Sequence, residues 1–250
     1  MSFVEADELT RIDRSFAGNS LLATFPADAR AVLEPHTDVV ELTTGETLLS
    51  RGDNVQASLF PAGATTVSMV SELADGRSVQ VASIGSEGAV GGIISCGNAP
   101  TFARATVLVG GSALSVPMEA LEEAKSRSSF IANLFCRYSD FLLSQVMQTV
   151  TCNSFHPVQA RAARWLLVAQ DRAGDRLELT QETLAGLLGA QRTTVNAAIR
   201  ALQDAGVIEL GRSRVTVTDR AGLQRQACEC YQTLQQHYAR VIGPSGKGSG

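Results

Sequence analysis

The run LTQETLAGLLGAQRTTVNAAIRALQDAGVIELGRSRVTVTD, residues 179–219, leaves few folds open to this chain. Thr180 can accept a hydrogen bond from the first turn of a helix, with Thr183 where a capping box would carry Glu. Ala185 is small enough to let a second helix approach. Gly189, four residues on, supplies a turn conformation that a side chain would strain. Val195, six further, packs back between the helices. That spacing predicts a helix-turn-helix. Its second helix starts near Arg192. It points Gln191, Arg192, Thr193, Asn196 and Arg200 outward, with Val195, Ile199 and Leu202 inward. Two β-prone stretches follow, Val207–Leu210 and Arg214–Thr218, joined by Gly211-Arg212-Ser213. A hairpin there makes the motif winged, and its basic tip suits phosphates. The polar side chains of the second helix can reach base edges and phosphates. The plainer alternative, a helix pair in an ordinary core, leaves both the polar face and the wing without a purpose.

Charge distribution agrees with this division of labour. The 250-residue chain has a net charge of −4, which by itself disfavours nucleic acid. Residues 1–155 carry 9 Lys and Arg against 17 Asp and Glu, whereas residues 156–242 carry 11 Arg against 8 Asp and Glu. An acidic body with a basic C-terminal third reads as two modules with different partners. Hydrophobic residues make up 44% and charged residues 18%, enough apolar material for a sizeable core and too much for disorder. No run of about 18 apolar residues exists, so no membrane span is expected. The N-terminal MSFVEADELTRIDR has no apolar core of a signal peptide. A cytoplasmic location with reduced thiols is the expectation.

The first half has a different texture. Leu21, Leu22, Phe25, Ala29, Val32 and Leu33 stand at helical spacing. Short β-prone runs then recur at Val39–Leu42, Thr66–Leu73, Ser78–Ile84 and Ala105–Val109, separated by turn residues. Asp75-Gly76 is the strongest hairpin signal. Short strands with regular turns predict a sandwich or barrel-like roll. Residues 128–155 contain neither Gly nor Pro, and their only charges are Arg137 and Asp140. Ile131, Leu134, Phe135, Tyr138, Phe141, Leu142, Gln145, Val146 and Thr149 repeat with a period near that of a coiled coil. A long helix so poor in charge buries two faces, one on the β-roll and one on a second subunit. Burial within a single chain is the alternative. The expected subunit seam is Ile131, Leu134, Tyr138, Phe141, Leu142 and Gln145. After His156-Pro157 come a helix over Val158–Asp171, the winged motif, and one last helix from about Arg220 to Val241.

Several stretches carry a family resemblance: ELTTGETLLSRGD, LADGRSVQVASIGSEGAVG and ARATVLVGGSAL in the first half, and HPVQARAARWLL, LTQETLAGLLGAQRTTV and DRAGLQRQACECY in the second. They resemble the Crp/Fnr transcription regulators, and above all a proteobacterial branch whose members are mostly of unknown effector. The resemblance implies an α+β protein with a jelly-roll sensor domain of cyclic-nucleotide-binding type over residues 1–127. It implies a dimerisation helix over 128–155, a winged helix-turn-helix DNA-binding domain over 156–242, and a flexible tail over 243–250. Implied partners are double-stranded DNA, a second copy of the chain, and RNA polymerase. Gln191, Arg192, Thr193 and Asn196 fall on the base-facing start of the recognition helix, and Thr180 and Gln181 on phosphate-contacting positions. Arg200 and the wing residues Arg212, Ser213 and Arg214 complete the expected DNA-binding set. The family's Arg-Glu pair is Arg192-Thr193 here, so a different preferred sequence is expected.

The effector site departs further from the family. Its cyclic-nucleotide binders use Gly-Glu-Leu and then an Arg-Ser pair that grips the cyclic phosphate. This chain has Gly91-Gly92-Ile93 and then Phe102-Ala103-Arg104-Ala105, so the Glu position is Gly92. Gly91, Gly92, Ile93 and Arg104 are the candidate effector residues. Arg104 is read either as an anion ligand or as a strand residue pointing outward. Binding of cAMP is not expected.

No cofactor and no metal are expected either. No cysteine precedes Cys96, so the N-terminal cluster of the family's iron–sulfur sensors is missing. Cys228 and Cys230 stand two apart on a predicted helix and so point to different sides. The three histidines His36, His156 and His237 are widely separated, and His156 is read as organising the hinge before Pro157. Sequence signatures of serine hydrolases, P-loop enzymes and zinc peptidases are absent, so no enzyme is expected. The rival reading is a metabolite-binding β-roll protein whose winged helix contacts proteins. A protein-contact surface would be more apolar than Gln191, Arg192, Thr193 and Asn196.

Overall fold

The computed structural model describes residues 16–93 and 100–243, which form two compact units. The leading helix and first strands are α1 (Ala27–Leu33), β1 (Asp38–Leu42), β2 (Thr47–Leu49), β3 (Ala57–Pro61), β4 (Thr66–Glu72) and β5 (Ser78–Ile84). They belong to the first unit, except that the hairpin segment Val70–Ala82, with the end of β4 and most of β5, belongs to the second. After residues outside the description come β6 (Arg104–Val109), β7 (Gly111–Pro117), α2 (Met118–Arg127) and α3 (Ser129–Phe155). Two antiparallel sheets form the roll, with strand orders β1-β7-β3 and β2-β6-β4-β5. The alternation that produces them is visible in β5, where Gln80, Ala82 and Ile84 are buried and their neighbours are half-buried. Asp75-Gly76 does sit at the β4–β5 turn, with Gly76 at φ 83° and its N–H donating to the Leu73 carbonyl. Strands β2, β3 and β7 were not among the sequence runs. Of these, β7 is central, pairing Leu114 with Val39 on one side and with Phe60 on the other.

The core of the first unit gathers Leu21, Leu33, Phe60, Leu114, Val116 and Leu121 with Ile131, Leu134, Phe135 and Tyr138 from α3. Full burial of each aliphatic or aromatic side chain stabilises by about 1.5–3 kcal/mol. The Tyr138 hydroxyl is made compatible with this core by the Ala89 backbone: it accepts from Ala89 N–H at 2.9 Å and donates to Ala89 C=O at 3.2 Å.

The second unit comprises Val70–Ala82 and Leu143–His237. It contains the end of α3, then α4 (Val158–Ala173), β8 (Arg176–Glu178), α5 (Gln181–Leu188), α6 (Arg192–Asp204), β9 (Ile208–Gly211), β10 (Arg214–Val217), α7 (Arg220–Gln226) and most of α8 (Cys230–Val241). Helix α4 packs on α6 and α7, and the strands form an antiparallel sheet of order β8-β10-β9. Leu166, Val195, Ile199, Leu202 and Leu223 are wholly buried. The Asp171 carboxylate binds α4 to the last two helices, accepting from Arg220 at 2.6 Å and from Tyr231 and Gln235 at 2.8 Å. Among the described residues no helix is long and apolar enough to cross a membrane.

Two expectations are corrected at this level. Ile131, Leu134, Tyr138 and Phe141 are at most 6% exposed within the single chain, Leu142 packs on the same core, and Gln145 is 9% exposed. Those side chains do not form an outward seam: Ile131, Leu134, Tyr138, Phe141 and Leu142 are taken up by the core of the first unit, and Gln145 is buried as well. Besides Phe155 at its end, 80% exposed, the apolar residues that α3 leaves uncovered are Leu143, Met147 and Val150, which are 55%, 61% and 62% exposed. The latter three share one side. They lie on the side of α3 away from Tyr138, as successive residues rotate by about 100°. The second correction concerns the last helix, which is broken. Ala227 is extended at φ −78°, ψ 154°, and separates α7 from α8. The expected tail begins at Gly243, and the rest of it lies outside the described residues.

Candidate nucleic-acid interface

Local chemistry builds the helix-turn-helix as its sequence implies. Thr180 N-caps α5, its hydroxyl accepting from Thr183 N–H at 3.0 Å. Gly189 ends the helix in the left-handed region, φ 57° and ψ 39°, and its N–H returns to the Ala185 and Gly186 carbonyls. A Cβ added to Gly189 would stand 3.0 Å from Val79 Cγ2 and 3.1 Å from its Cβ. The last carbonyl of α5, on Leu188, accepts from the buried guanidinium of Arg161. Burial lowers the Arg161 pKa from its ordinary value. Sequence reasoning passed over this buttress, which looks like any other arginine of an amphipathic helix.

Helix α6 separates its residues into two faces. Val195, Ala198, Ile199 and Leu202 are buried, while Gln191, Arg192, Thr193 and Arg200 are exposed. Asn196 is half-buried and its Oδ1 has no hydrogen-bond partner within the protein. At about 1.5 Å rise per residue, Arg192 and Arg200 stand roughly 12 Å apart along the axis. The wing turn places Arg212 and Ser213 in solvent, with Ser213 in the left-handed region at φ 55°. Thr180, Gln181, Arg192, Ser213 and Arg214 line one recess of about 340 Å³. The cap of α5, the start of α6 and the wing therefore open onto a common space, with Arg212 exposed at the tip and Arg200 farther along α6.

The candidate effector residues do not assemble a phosphate cradle. Arg104 opens β6, and its Nη1 donates to Thr106 Oγ1, two residues on, at 3.4 Å. Strand alternation puts Arg104 and Thr106 on the face opposite the buried Ala105 and Val107. Gly92 is buried at φ 64°, and a Cβ there would come within 2.1 Å of Met118 Sδ. A Glu at that position would need a strained left-handed backbone and displacement of the Met118 thioether. Ile93 is core, and Gly91 is pressed against Val55 and the Ala57 carbonyl. A recess of about 460 Å³ in the roll is walled by Leu48, Leu49, Leu59 and Val90 with Asp53 and Gln56, and Arg104 is not among its described wall residues.

The expectation that Cys228 and Cys230 diverge is overturned. The break between α7 and α8 turns both thiols to one side, beside Cys152 near the end of α3 and His156 one turn later. The Cys152 and Cys228 sulfurs are 3.6 Å apart, and Cys230 Sγ is 3.5 Å from His156 Nδ1. Hydrogen bonding with Cys228 holds the Cys152 thiol down to about 5, while the same contact and burial push Cys228 up. The overlooked sequence signal was Cys152-x-x-x-His156, which places two donors on one helical face.

Residues 160–226 match the Crp-like helix-turn-helix domain family. A 72-residue stretch is 39% identical to the HTH-type transcriptional regulator Cmr of Mycobacterium tuberculosis, covering 28% of each chain. The matched stretch thus spans well under a third of that relative. FixK2 from Bradyrhizobium japonicum superposes with a TM-score of 0.66 at 17% identity, over 77% of this chain and 98% of its own. A chain of the crp/fnr family from Eubacterium rectale superposes with a TM-score of 0.63 at 18% identity, over 86% of this chain and 97% of its own. This chain therefore has the fold of the Crp/Fnr regulators and carries, at residues 160–226, a Crp-like helix-turn-helix domain.

Proposed function

We propose that the protein is a sequence-specific DNA-binding transcription regulator that acts as a homodimer on a two-fold-related site without needing cAMP. The observation that carries this reading is the common recess of Thr180, Gln181, Arg192, Ser213 and Arg214 beside the exposed polar face of α6. Arg192 and Thr193 at the start of α6 read base edges in the major groove, Arg192 by a bidentate pair to guanine. Thr180, Gln181, Arg200, Arg212 and Arg214 position the protein on the backbone. Leu143, Met147 and Val150 supply the apolar face on which two copies of α3 meet, and half-sites about 34–36 Å apart follow. The position of Arg104 on the strand face opposite the buried Ala105 and Val107, and Met118 crowding Gly92, offer a cyclic phosphate no evident partner for its charge, which supports independence from cAMP.

Selection of bound fragments from random DNA, followed by titration of the best site, tests the reading. Arg192→Ala should cost about 1–3 kcal/mol there, roughly five- to 150-fold, and relax one position. Arg212→Ala should weaken all sequences alike and flatten the salt dependence. An Arg192→Ala protein with unaltered affinity and preference would refute the assignment of α6.

A further inference from the structure

We propose that Cys152, His156, Cys228 and Cys230 form a tetrahedral binding site for one Zn2+ ion. Their ligand atoms, three sulfurs and one imidazole nitrogen, all lie within 4.8 Å of one another. Bonds of about 2.3 Å to sulfur and about 2.0–2.1 Å to nitrogen place tetrahedral ligands about 3.5–3.8 Å apart. The Cys152–Cys228 separation of 3.6 Å and the Cys230–His156 separation of 3.5 Å are of that size. An iron–sulfur cluster distributes its thiolates over several irons and needs a wider cage. Thiolate and imidazole donors at tetrahedral spacing select Zn2+ among divalent ions, and four protein ligands close the site to water.

The surroundings point the same way. His156 offers Nδ1 to the cluster, while its Nε2 faces Glu229 Oε2 at 3.3 Å. A ligating histidine usually gives its other N–H to a carboxylate, which fixes tautomer and ring orientation. Gln148 Nε2 donates to Cys230 Sγ at 2.9 Å, a contact suited to a thiolate acceptor. Three thiolates and a neutral imidazole around a dication leave one negative charge. Three buried thiols serving only as small core residues would not require two polar side chains aimed at them. The ion would tie the end of α3 to the junction of α7 and α8, where no glycine or proline explains the break. This site does not depend on the DNA-binding reading.

Co2+ is the probe, added to the full-length protein after reduction and removal of metal. One equivalent per chain should bind with the visible absorption of tetrahedral Co2+ and a thiolate-to-cobalt charge-transfer band, and Zn2+ should displace it. Cys228→Ser and His156→Ala should lose the charge-transfer signature or the stoichiometry, whereas Cys136→Ser should keep both. Glu229 is 74% exposed, so Glu229→Gln tests the site without threatening the fold; it should weaken Co2+ affinity about 10–100-fold. Absence of stoichiometric Co2+ uptake by the reduced wild-type protein would overturn the proposal. So would undiminished affinity in Glu229→Gln, or uptake that survives Cys228→Ser unchanged.

Discussion

Two glycines three residues apart in α5 and its turn should respond to the same substitution with opposite signs. At Gly189 a side chain must adopt φ 57°, ψ 39°. The left-handed conformation costs an L-residue roughly 1–2 kcal/mol. The new Cβ would also press on Val79 at 3.0–3.1 Å, tighter than ordinary contact, so Val79 must yield. Together these give a destabilisation of about 1.5–3 kcal/mol for Gly189→Ala. Gly186 lies inside α5, is exposed, and has nothing within 4 Å of a Cβ built on it. There Gly186→Ala removes only the entropic disadvantage of glycine and should stabilise by about 0.5–1 kcal/mol. Trp165 is the one tryptophan of the chain and lies buried on α4, donating to Gln80 at 2.9 Å. Its fluorescence therefore reports unfolding of the unit that contains both glycines. With a slope of about 1–3 kcal/mol/M in urea, the midpoint should fall by roughly 1 M for Gly189→Ala and rise by a few tenths for Gly186→Ala. Equal shifts, or shifts of the same sign, would refute the role given to the turn.

Met147→Glu changes a residue that is 61% exposed in the single chain, so the fold should be altered by no more than about 0.5 kcal/mol. The same charge on the apolar face of α3 should convert a dimer to monomers in sedimentation and abolish tight DNA binding, and a persistent dimer would discard this face as the seam. Tyr138→Phe removes the hydroxyl that serves both the N–H and the carbonyl of buried Ala89. It should cost about 1–3 kcal/mol and lower the calorimetric midpoint by about 2–4 °C per kcal/mol, and an unchanged midpoint would contradict the contact.

What could be read without the fold was local. The cap at Thr180, the turn at Gly189, the hairpin at Asp75-Gly76 and the faces of α6 each depend on residues within a turn or two. The glycine- and proline-free run 128–155 likewise becomes the helix Ser129–Phe155. Nothing local could choose which apolar face of that helix would be covered. Periodicity picked the stripe through Tyr138, and the core of the first unit then took up that stripe, leaving Leu143, Met147 and Val150 outside. Strand β7 is another case: its GSALSVP has weak strand texture, yet it lies between β1 and β3, where hydrogen bonds on both edges outweigh propensity. The thiol cluster shows the limit most plainly. Helical spacing sends Cys228 and Cys230 apart, and no local signal in QACECY ends a helix. Only packing against α3 and α4 decides that Ala227 becomes extended and that four donors distant in the chain meet at one point.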